Sequence, residues 1–366
     1  MSKSKIAVFI GRFQPFHNGH LSILEKASKE FDKVIVLVGS ANRRSSIKNP
    51  FSPDVRMQWI ESIASETLPT LNIRISSIND SFYNETKWET EVYYKVHHLA
   101  DEAIEDEQIS IIGFEKDDSS YYLHSFPQWK VRLYDIDVNI NSTDLRNALF
   151  EAQLSQSKDK IDYFNYLMDT FSPVKIAQFF KDVEALYESY GLDDLVAEFK
   201  FYQDEAEKFK DYPYLDTLKF MCADMAVVCK GHVLLIQRKF APGRNTWALP
   251  GGFVNQKETF QQTALRELME ETSIKVPKRA LEGKIKAASQ SIKTAKMFDD
   301  PSRSLGIPRV SMAYFIEVEP DHDGRLPKVK AADDALDAKW IPLASARNLK
   351  LFDDHSDMID YFTGSM

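Results

Sequence analysis

Residues 252–274 read GFVNQKETFQQTALRELMEETSI, and this stretch decides the fold of the C-terminal half. It holds three glutamates at the helical spacing i, i+3 and i+4, namely Glu267, Glu270 and Glu271. A helix over residues 259–272 would place their carboxylates on one face, where they repel each other and need a counterion. A hard cation such as Mg²⁺ takes oxygen ligands and would meet this need. A solvated acidic helix surface is the alternative interpretation.

The turn before this helix and the arginine within it favour the metal site. Leu-Pro-Gly-Gly at 249–252 is typical of a strand end followed by a tight loop, and Arg266 directly precedes the first of the three glutamates. The complete pattern is Gly252, five residues, Glu258, seven residues, and then Arg-Glu-apolar-x-Glu-Glu. This pattern resembles the Nudix box. The resemblance implies that Arg266 orients the carboxylates and that Mg²⁺, with Mn²⁺ as an alternative, is held by Glu267, Glu270 and Glu271.

Ser273 is the one departure from the box that affects the helix itself. It stands where the family usually has the glycine that ends the helix. We expect a left-handed backbone at this position, where a residue with a Cβ costs on the order of 1 kcal/mol relative to glycine. The departure removes no metal ligand.

Size, charge and cysteine content limit the class of protein. A chain of 366 residues is too long for a typical single core, so two domains are expected. The net charge of −9 argues against a general nucleic-acid binder. Two cysteines are too few for a disulfide framework and fit a reducing compartment. With no signal-peptide pattern and no apolar run of membrane-spanning length, we expect a cytoplasmic protein without membrane association.

The N-terminal half alternates strands and helices. The apolar run at 6–10, the helical spacing at 20–31 and the apolar run at 34–38 form a βαβ unit, which indicates a parallel sheet. Further on, an apolar pattern at 179–187 predicts one amphipathic helix. The expected organisation is a nucleotide-binding domain at 1–185, a helical linker at 186–212 and a second domain at 213–366.

Two segments of the first half carry polar residues that suit phosphates. Gly-Arg-Phe-Gln-Pro-Phe-His-Asn-Gly-His at 11–20 falls where the first strand ends and the first helix begins, which is where ligands bind in open parallel sheets. Backbone N–H groups and the helix dipole there favour anions. The second segment, 140–146, reads as a loop that feeds a helix, and Ser142 or Thr143 is expected to cap that helix.

Together the two segments resemble the HxGH nucleotidyltransferase superfamily, and further matches resemble its archaeal-type NMN (nicotinamide mononucleotide) adenylyltransferases. The resemblance implies an α/β architecture in which a Rossmann-like, doubly wound parallel sheet is followed by an α/β/α Nudix domain with a mixed sheet. It implies catalytic roles for His17, His20, Arg12 and Arg146. It implies ATP binding by Gly11, Phe13, Gln14, Gly19, Ser142 and Thr143. It implies NMN binding by Ser40, Asn84 and Trp88.

The implied reaction is attack by the phosphate of NMN on the α-phosphorus of ATP, which gives NAD and pyrophosphate. The nucleophile is already ionised, so catalysis would come from positioning and charge stabilisation. Stacking of the cationic pyridinium on the indole of Trp88 suits this substrate physically. The alternative interpretation of Trp88 is an ordinary core tryptophan.

The segments flanking the Nudix box resemble ADP-ribose pyrophosphatases, which implies hydrolysis of ADP-ribose to AMP and ribose 5-phosphate. The expected ADP-ribose-binding residues are Arg238, Trp247, Gly251 and Gly252. Trp247 could equally be a core residue. Asp300, Pro301 and Arg303 belong to the same resemblance.

The order of the two segments resembles that of bifunctional NMN adenylyltransferase/Nudix hydrolases, with ATP, NMN, NAD and ADP-ribose as the implied partners. Three alternatives remain open. The Nudix domain could be a ligand sensor that does not hydrolyse, or could act on another nucleoside diphosphate derivative. The first domain could prefer nicotinic acid mononucleotide. The sequence is also compatible with a homo-oligomer.

Overall fold

The computed structural model describes residues 4–100, 104–115, 122–136, 140–274 and 292–364. The chain divides into two compact units, Met1–Val196 and Ala197–Met366. The division falls inside the segment 186–212 that the sequence assigns to a linker. Within the described residues, no helix is both long and apolar enough to span a bilayer.

The first unit is built on a five-stranded parallel sheet in the order β3-β2-β1-β4-β5. Its strands are β1 (Ile6–Gly11), β2 (Lys33–Val38), β3 (Asn72–Ser77), β4 (Ile109–Gly113) and β5 (Lys130–Leu133). Strand β2 is buried along its whole length, because a parallel sheet is covered by helices on both faces. The doubly wound parallel sheet expected from the sequence is confirmed.

Helices follow the strands of this sheet and then continue toward the second unit. They are α1 (Asn18–Ala27), α2 (Pro53–Thr67), α3 (Glu85–Leu99), α4 (Ser142–Ser155), α5 (Lys158–Phe171), α6 (Val174–Lys181), α7 (Val183–Tyr190) and α8 (Leu192–Phe209). The single helix expected over 179–187 is wrong, because α6 ends at Lys181 and α7 begins at Val183. Between them, the Asp182 carboxylate accepts a hydrogen bond from the backbone N–H of Ala185, 3.1 Å away, and caps α7.

The second unit contains a mixed seven-stranded sheet. Its strands are β6 (Phe220–Cys229), β7 (His232–Arg238), β8 (Trp247–Ala248), β9 (Gly251–Phe253), β10 (Ile292–Phe298), β11 (Arg309–Glu317) and β12 (Ala335–Pro342). The main path runs β10-β11-β6-β7-β12, with β8 on β7 and β9 on β6. Strands β6 and β11 are parallel and the other pairs are antiparallel, so the expected mixed sheet is confirmed.

Strand β6 separates two different environments within the second unit. The other helices here are α9 (Phe260–Thr272), α10 (Leu343–Ala346) and α11 (His355–Thr363). Ala223, Met225 and Val227 pack with Ala264 and Leu268 of α9 in one apolar core. Because side chains alternate along a strand, Asp224 points to the opposite face. There its carboxylate is buried and lies 3.8 Å from the imidazole of His355.

Candidate active sites

The histidines of the N-terminal motif lie side by side at the start of α1. His17 is the N-cap, and its Nδ1 accepts a hydrogen bond from the backbone N–H of Gly19 at 3.1 Å. In turn, Nδ1 of His20 accepts from the backbone N–H of His17 at 3.2 Å, and the two ring centroids are 3.8 Å apart. A Cβ on Gly19 would come within 2.9 Å of the His17 ring, so only glycine fits between them.

These hydrogen bonds set the tautomer of both histidine rings. Because each Nδ1 accepts from a backbone N–H, each neutral ring carries its proton on Nε2. Burial and the neighbouring His17 hold the pKa of His20 well below its usual value, so its ring is neutral near pH 7. The pair is therefore a source of two Nε2–H donors, which suits phosphate oxygens.

Arg146 is a buried cation held by neutral groups. Its Nε donates to the carbonyl of Ile47 at 2.9 Å, Nη1 to that of Gln14 at 2.6 Å, and Nη2 to the hydroxyl of Thr143 at 3.1 Å. Burial is the main cause that lowers its pKa to about 9, and Arg12 adds to the effect while Asp144 opposes it. An anion bound beside this guanidinium would relieve the cost of burying it.

Lys48 belongs to the same basic cluster, although the sequence interpretation did not include it. Burial lowers its pKa, as do the nearby positive charges of Arg12, Arg146 and Arg43. The signal in the sequence is the basic loop at 43–48, directly before the Asn-Pro-Phe-Ser segment. Four cations around one place, opposed by the single carboxylate of Asp80, indicate a site for a highly charged anion.

The remaining residues assigned to ATP mostly shape the motif. The cap expected at Ser142 or Thr143 is wrong, because the Asn141 side chain accepts from the backbone N–H of Asp144 at 3.0 Å. The hydroxyl of Ser142 instead donates to the carbonyl of Pro15 at 2.9 Å. The Gln14 amide makes a reciprocal pair with the backbone of Phe51, at 2.8 and 3.0 Å.

The start of the motif is equally constrained. Phe13 is buried and has a left-handed backbone, with φ 50°. A Cβ on Gly11 would lie 2.8 Å from the Cζ atom of the Phe13 ring. Arg56 is 1% exposed, and its Nη1 donates to the carbonyls of Arg12 at 2.7 Å and Gly39 at 2.8 Å. It ties together the segments that follow β1 and β2.

The residues assigned to NMN lie beyond the ends of β2 and β3. Ser40 has a left-handed backbone, φ 56°, and its N–H donates to the carboxylate of Asp80 at 3.2 Å. Asn84 caps α3, with its side-chain oxygen accepting from the backbone N–H of Lys87 at 3.0 Å. Trp88 is half-buried against the core of the first unit, with its ring 5.8 Å from that of Phe126. Part of its indole is accessible.

In the second unit, Arg266 binds three of the glutamates singled out by the sequence. Its Nε and Nη2 hold both carboxylate oxygens of Glu258, at 2.8 and 3.1 Å. Its Nη1 reaches Glu267 at 2.8 Å and Glu270 at 2.9 Å. The fork on Glu258, supported by the hydroxyl of Thr263, lowers the pKa of Glu258 to about 2.

Glu271 lies apart from this fork and is more deeply buried. Its carboxylate accepts from the backbone N–H of Gly251 at 3.0 Å. Burial raises its pKa to about 8, and Glu267 and Asp224 raise it further while Gly251 and Arg238 oppose the shift. Burial also raises the pKa of Glu267. The two carboxylates thus share a region that lacks sufficient positive charge.

The two glycines of the turn make room for these carboxylates. A Cβ on Gly252 would collide with the carboxylate of Glu267, and a Cβ on Gly251 would collide with that of Asp224. Both glycines are therefore required by close approach of acidic side chains, in addition to any role in binding ligand.

The donor chemistry of this region fits a hard cation. Among the described residues, no group of three or more His, Cys, Asp and Glu side chains converges in an arrangement that could hold a metal ion. Arg266 instead binds one oxygen of Glu267 and one of Glu270. Both raised pKa values, on Glu267 and Glu271, are what a bound cation would reverse. These carboxylates suit a divalent ion, which would share the oxygens of Glu267 and Glu270 with Arg266.

The other residues assigned to ADP-ribose flank the glutamates. The guanidinium of Arg238 stacks on the ring of Phe352 at 4.0 Å, while its Nε donates to the carbonyl of Pro242 at 3.0 Å. Trp247 is half-buried in β8, and the ammonium of Lys339 lies 5.6 Å from its ring centroid. Phe352 was not among the expected site residues.

Models of two protein families match the chain. The cytidylyltransferase-like family matches residues 8–148, and the NUDIX domain family matches residues 220–362. Each match covers the part of the chain that holds one of the two sites described above.

Two adenylyltransferases resemble the chain over spans of different length. The nicotinamide/nicotinic acid mononucleotide adenylyltransferase of Acinetobacter baylyi is 32% identical over 197 residues, which are 54% of this chain and 100% of that protein. The nicotinamide-nucleotide adenylyltransferase of Methanococcus aeolicus is 45% identical over 73 residues, 20% of this chain and 42% of that protein.

The solved structures include a bifunctional NMN adenylyltransferase/ADP ribose pyrophosphatase from Francisella tularensis. It is 32% identical, covers 99% of both chains and superposes with a TM-score of 0.81. A second structure of this kind from the same organism, complexed with AMP and a Mn ion, has a TM-score of 0.77.

Proposed function

We propose two reactions for this chain, which belongs to the family of bifunctional NMN adenylyltransferases/ADP-ribose pyrophosphatases. The first unit transfers the adenylyl group of ATP to NMN and yields NAD and pyrophosphate. The second unit hydrolyses ADP-ribose to AMP and ribose 5-phosphate. The enzyme thus makes NAD and removes one of the products of NAD breakdown.

Positioning and charge drive the transfer reaction. A phosphate oxygen of NMN attacks the α-phosphorus of ATP, and the bond to the pyrophosphate oxygen breaks. Arg146, with Arg12 and Lys48, supplies positive charge for the phosphates, and the Nε2–H groups of His17 and His20 donate to the oxygens of the leaving pyrophosphate. Asn84 and Trp88 hold the nicotinamide. A divalent ion, Mg²⁺ or Mn²⁺, would supply positive charge for the pyrophosphate.

The observation that carries the transfer reaction is the burial of the Arg146 side chain, whose three hydrogen-bond acceptors are the neutral groups of Ile47, Gln14 and Thr143. Replacing Arg146 with methionine keeps volume and removes charge. We expect kcat/KM for NAD formation to fall by about 10²–10³. The matched control is Arg132→Met, an exposed arginine of the same unit that pairs with Glu30. An equal loss in both variants would contradict the assignment.

In the hydrolytic reaction, the chain provides a carboxylate cluster and a fixed turn. Glu267, Glu270 and Glu271 would hold a divalent ion, which clamps the diphosphate and acidifies water when bound. Arg266 sets the rotamers of the glutamates, and Arg238 lies beside Glu271, where it can pair with the substrate diphosphate. Water then adds to one phosphorus, and the bond to the bridging oxygen breaks.

The observation that carries hydrolysis is Arg266, which gathers Glu258, Glu267 and Glu270 within hydrogen-bond distance. The test is Glu270→Gln with ADP-ribose and Mg²⁺, or Mn²⁺ in parallel. A hydrolase loses AMP formation, whereas a ligand sensor would bind ADP-ribose with unchanged affinity and show no turnover even in the unaltered protein. The matched control is Glu317→Gln, an exposed residue on β11.

The mononucleotide that Trp88 and Asn84 accept is tested by competition between two substrates. We propose NMN as the acceptor; the half-buried indole suits its cationic ring, a feature that nicotinic acid mononucleotide shares. Competition between NMN and nicotinic acid mononucleotide, with the products separated by chromatography, measures the ratio of kcat/KM. A ratio that favours the acid would replace NMN in this proposal.

A further inference from the structure

A chain of buried polar groups runs behind the Leu249–Gly252 turn, on the face of β6 opposite α9. His355, the first residue of α11, is 5% exposed, and its Nδ1 accepts from the backbone N–H of Leu249 at 2.9 Å. Because Nδ1 accepts, the neutral ring carries its proton on Nε2. That atom faces the carboxylate of Asp224 at 3.8 Å, which is too long for a direct hydrogen bond.

A buried ion pair between Arg303 and Asp354 holds the residue that directly precedes His355. Arg303 donates from Nε and Nη2 to both carboxylate oxygens of Asp354, at 2.8 and 2.7 Å, and Asp354 is fully buried. Asp354 stands at the N-cap of α11 but gives its carboxylate to Arg303, with no side-chain bond to the helix. The start of α11 is therefore anchored to the loop of Arg303, one residue before the buried His355.

The turn that His355 holds reaches the carboxylates on the other side of the sheet. Each peptide of the turn has a separate buried partner. Leu249 N–H donates to His355, Met225 N–H donates to the carbonyl of Pro250 at 2.8 Å, and Gly251 N–H donates to Glu271 at 3.0 Å. A shift of Leu249 would move the Gly251 N–H, and with it the carboxylate of Glu271.

We infer that His355 is a positioning residue for hydrolysis, which sets the Leu249–Gly252 turn, and through it Glu271, from the far face of the sheet. The inference rests on the proposed hydrolytic function. Its contact with Leu249 is the decisive one, and the approach of its Nε2 to Asp224 is secondary. The sequence shows only one hint of this arrangement, since Asp224 interrupts an apolar strand.

Three substitutions separate the two contacts of the ring. In His355→Asn the side-chain oxygen occupies the place of Nδ1 and can accept from Leu249. In His355→Gln the amide occupies the place of Nε2 and faces Asp224 without reaching Leu249. His355→Leu keeps the volume and has neither contact.

We expect kcat for ADP-ribose hydrolysis to fall about 10–100-fold in the Leu and Gln variants, with KM within about twofold, and to stay within about threefold in the Asn variant. NAD formation in the same preparations normalises for the amount of chain with a folded first unit, and the melting temperature reports on the second unit. The control is Met358→Ala, which removes a fully buried apolar side chain from α11 and makes no polar contact with the turn. It should lower the melting temperature without lowering kcat.

The proposed hydrolytic function and the positioning role of His355 are contradicted by different results. If the unaltered enzyme does not hydrolyse ADP-ribose, the proposed function fails. If it does, the positioning role of His355 is overturned by a normal kcat in the Leu variant, by recovery with Gln and not with Asn, or by an equal loss of kcat in Met358→Ala.

Discussion

Buried charge without full compensation marks both sites at the scale of single residues. In the first unit it is the guanidinium of Arg146, whose pKa is lowered to about 9, and in the second it is the carboxylate of Glu271, whose pKa is raised to about 8. Each shift favours a ligand of the opposite charge, an anion in the first unit and a cation in the second. These buried charges lower the stability of the protein without ligand, and binding of the anion or the cation restores that stability.

For Glu271 this gives a pH dependence with a definite sign. Its pKa in the folded state, about 8, lies above the ordinary value of 4.5. Between these pH values the folded state binds more protons than the unfolded state, so stability falls as pH rises. In metal-free protein we expect Glu271→Gln to be more stable than the unaltered chain, by roughly 4 kcal/mol at pH 8 and by only about 1 kcal/mol at pH 5.

Urea unfolding in the presence of a chelator measures this difference. Addition of Mg²⁺ should stabilise the unaltered protein and leave the Gln variant nearly unchanged, since the variant lacks a charged ligand. A stability gap that does not vary between pH 5 and pH 8 would contradict the prediction.

Ser273 provides a second prediction at this scale. The expected left-handed backbone is present, with φ 49° and ψ 20°, and the residue is exposed just beyond α9. We expect Ser273→Gly to raise the free energy of unfolding by about 1 kcal/mol. Ser273→Ala keeps the Cβ and should give no gain. Thermal unfolding compares the variants, and ADP-ribose hydrolysis should be the same in all of them.

Local signals predict the elements better than the contacts between them. The carboxylate spacing predicts α9, and the apolar runs predict β1, β2 and the parallel sheet of the first unit, because periodicity reports burial directly. The split between α6 and α7 was missed, since the apolar pattern continues across Asp182 and only its capping bond reveals the break. Lys48 lies in a basic loop that is visible in the sequence, but its closeness to Arg12 and Arg146 and the contact of His355 with Leu249 depend on neighbours that are distant in sequence.

The helix break at Asp182 leads to a prediction at the scale of elements. Its carboxylate is the side-chain acceptor at the start of α7, so Asp182→Ala should lower the free energy of unfolding by about 1 kcal/mol. Asp182→Asn retains an acceptor and should lose much less. Urea unfolding followed by circular dichroism tests both. Equal stability of the Ala and Asn variants would mean that the capping bond contributes nothing.

At the scale of the whole molecule, the chemistry of the two reactions argues against a direct transfer of product between sites. The first reaction releases NAD, whereas the second consumes ADP-ribose, and loss of nicotinamide from NAD must come between them. That step requires cleavage of an N-glycosidic bond, which is neither of the two proposed reactions. Each site therefore exchanges its ligands with the surrounding solution.

This independence predicts that the two functions can be carried by different molecules. Arg146→Met should abolish most NAD formation and leave AMP formation from ADP-ribose intact, and Glu270→Gln should do the reverse. The test is an equimolar mixture of the two variants, in which each intact site has the concentration used for the unaltered enzyme. With ATP, NMN, ADP-ribose and Mg²⁺ present, the mixture should form NAD and AMP at the same rates as the unaltered enzyme. A mixture that is slower for either product, with both single variants folded, would show that the sites must share one chain to work at full rate.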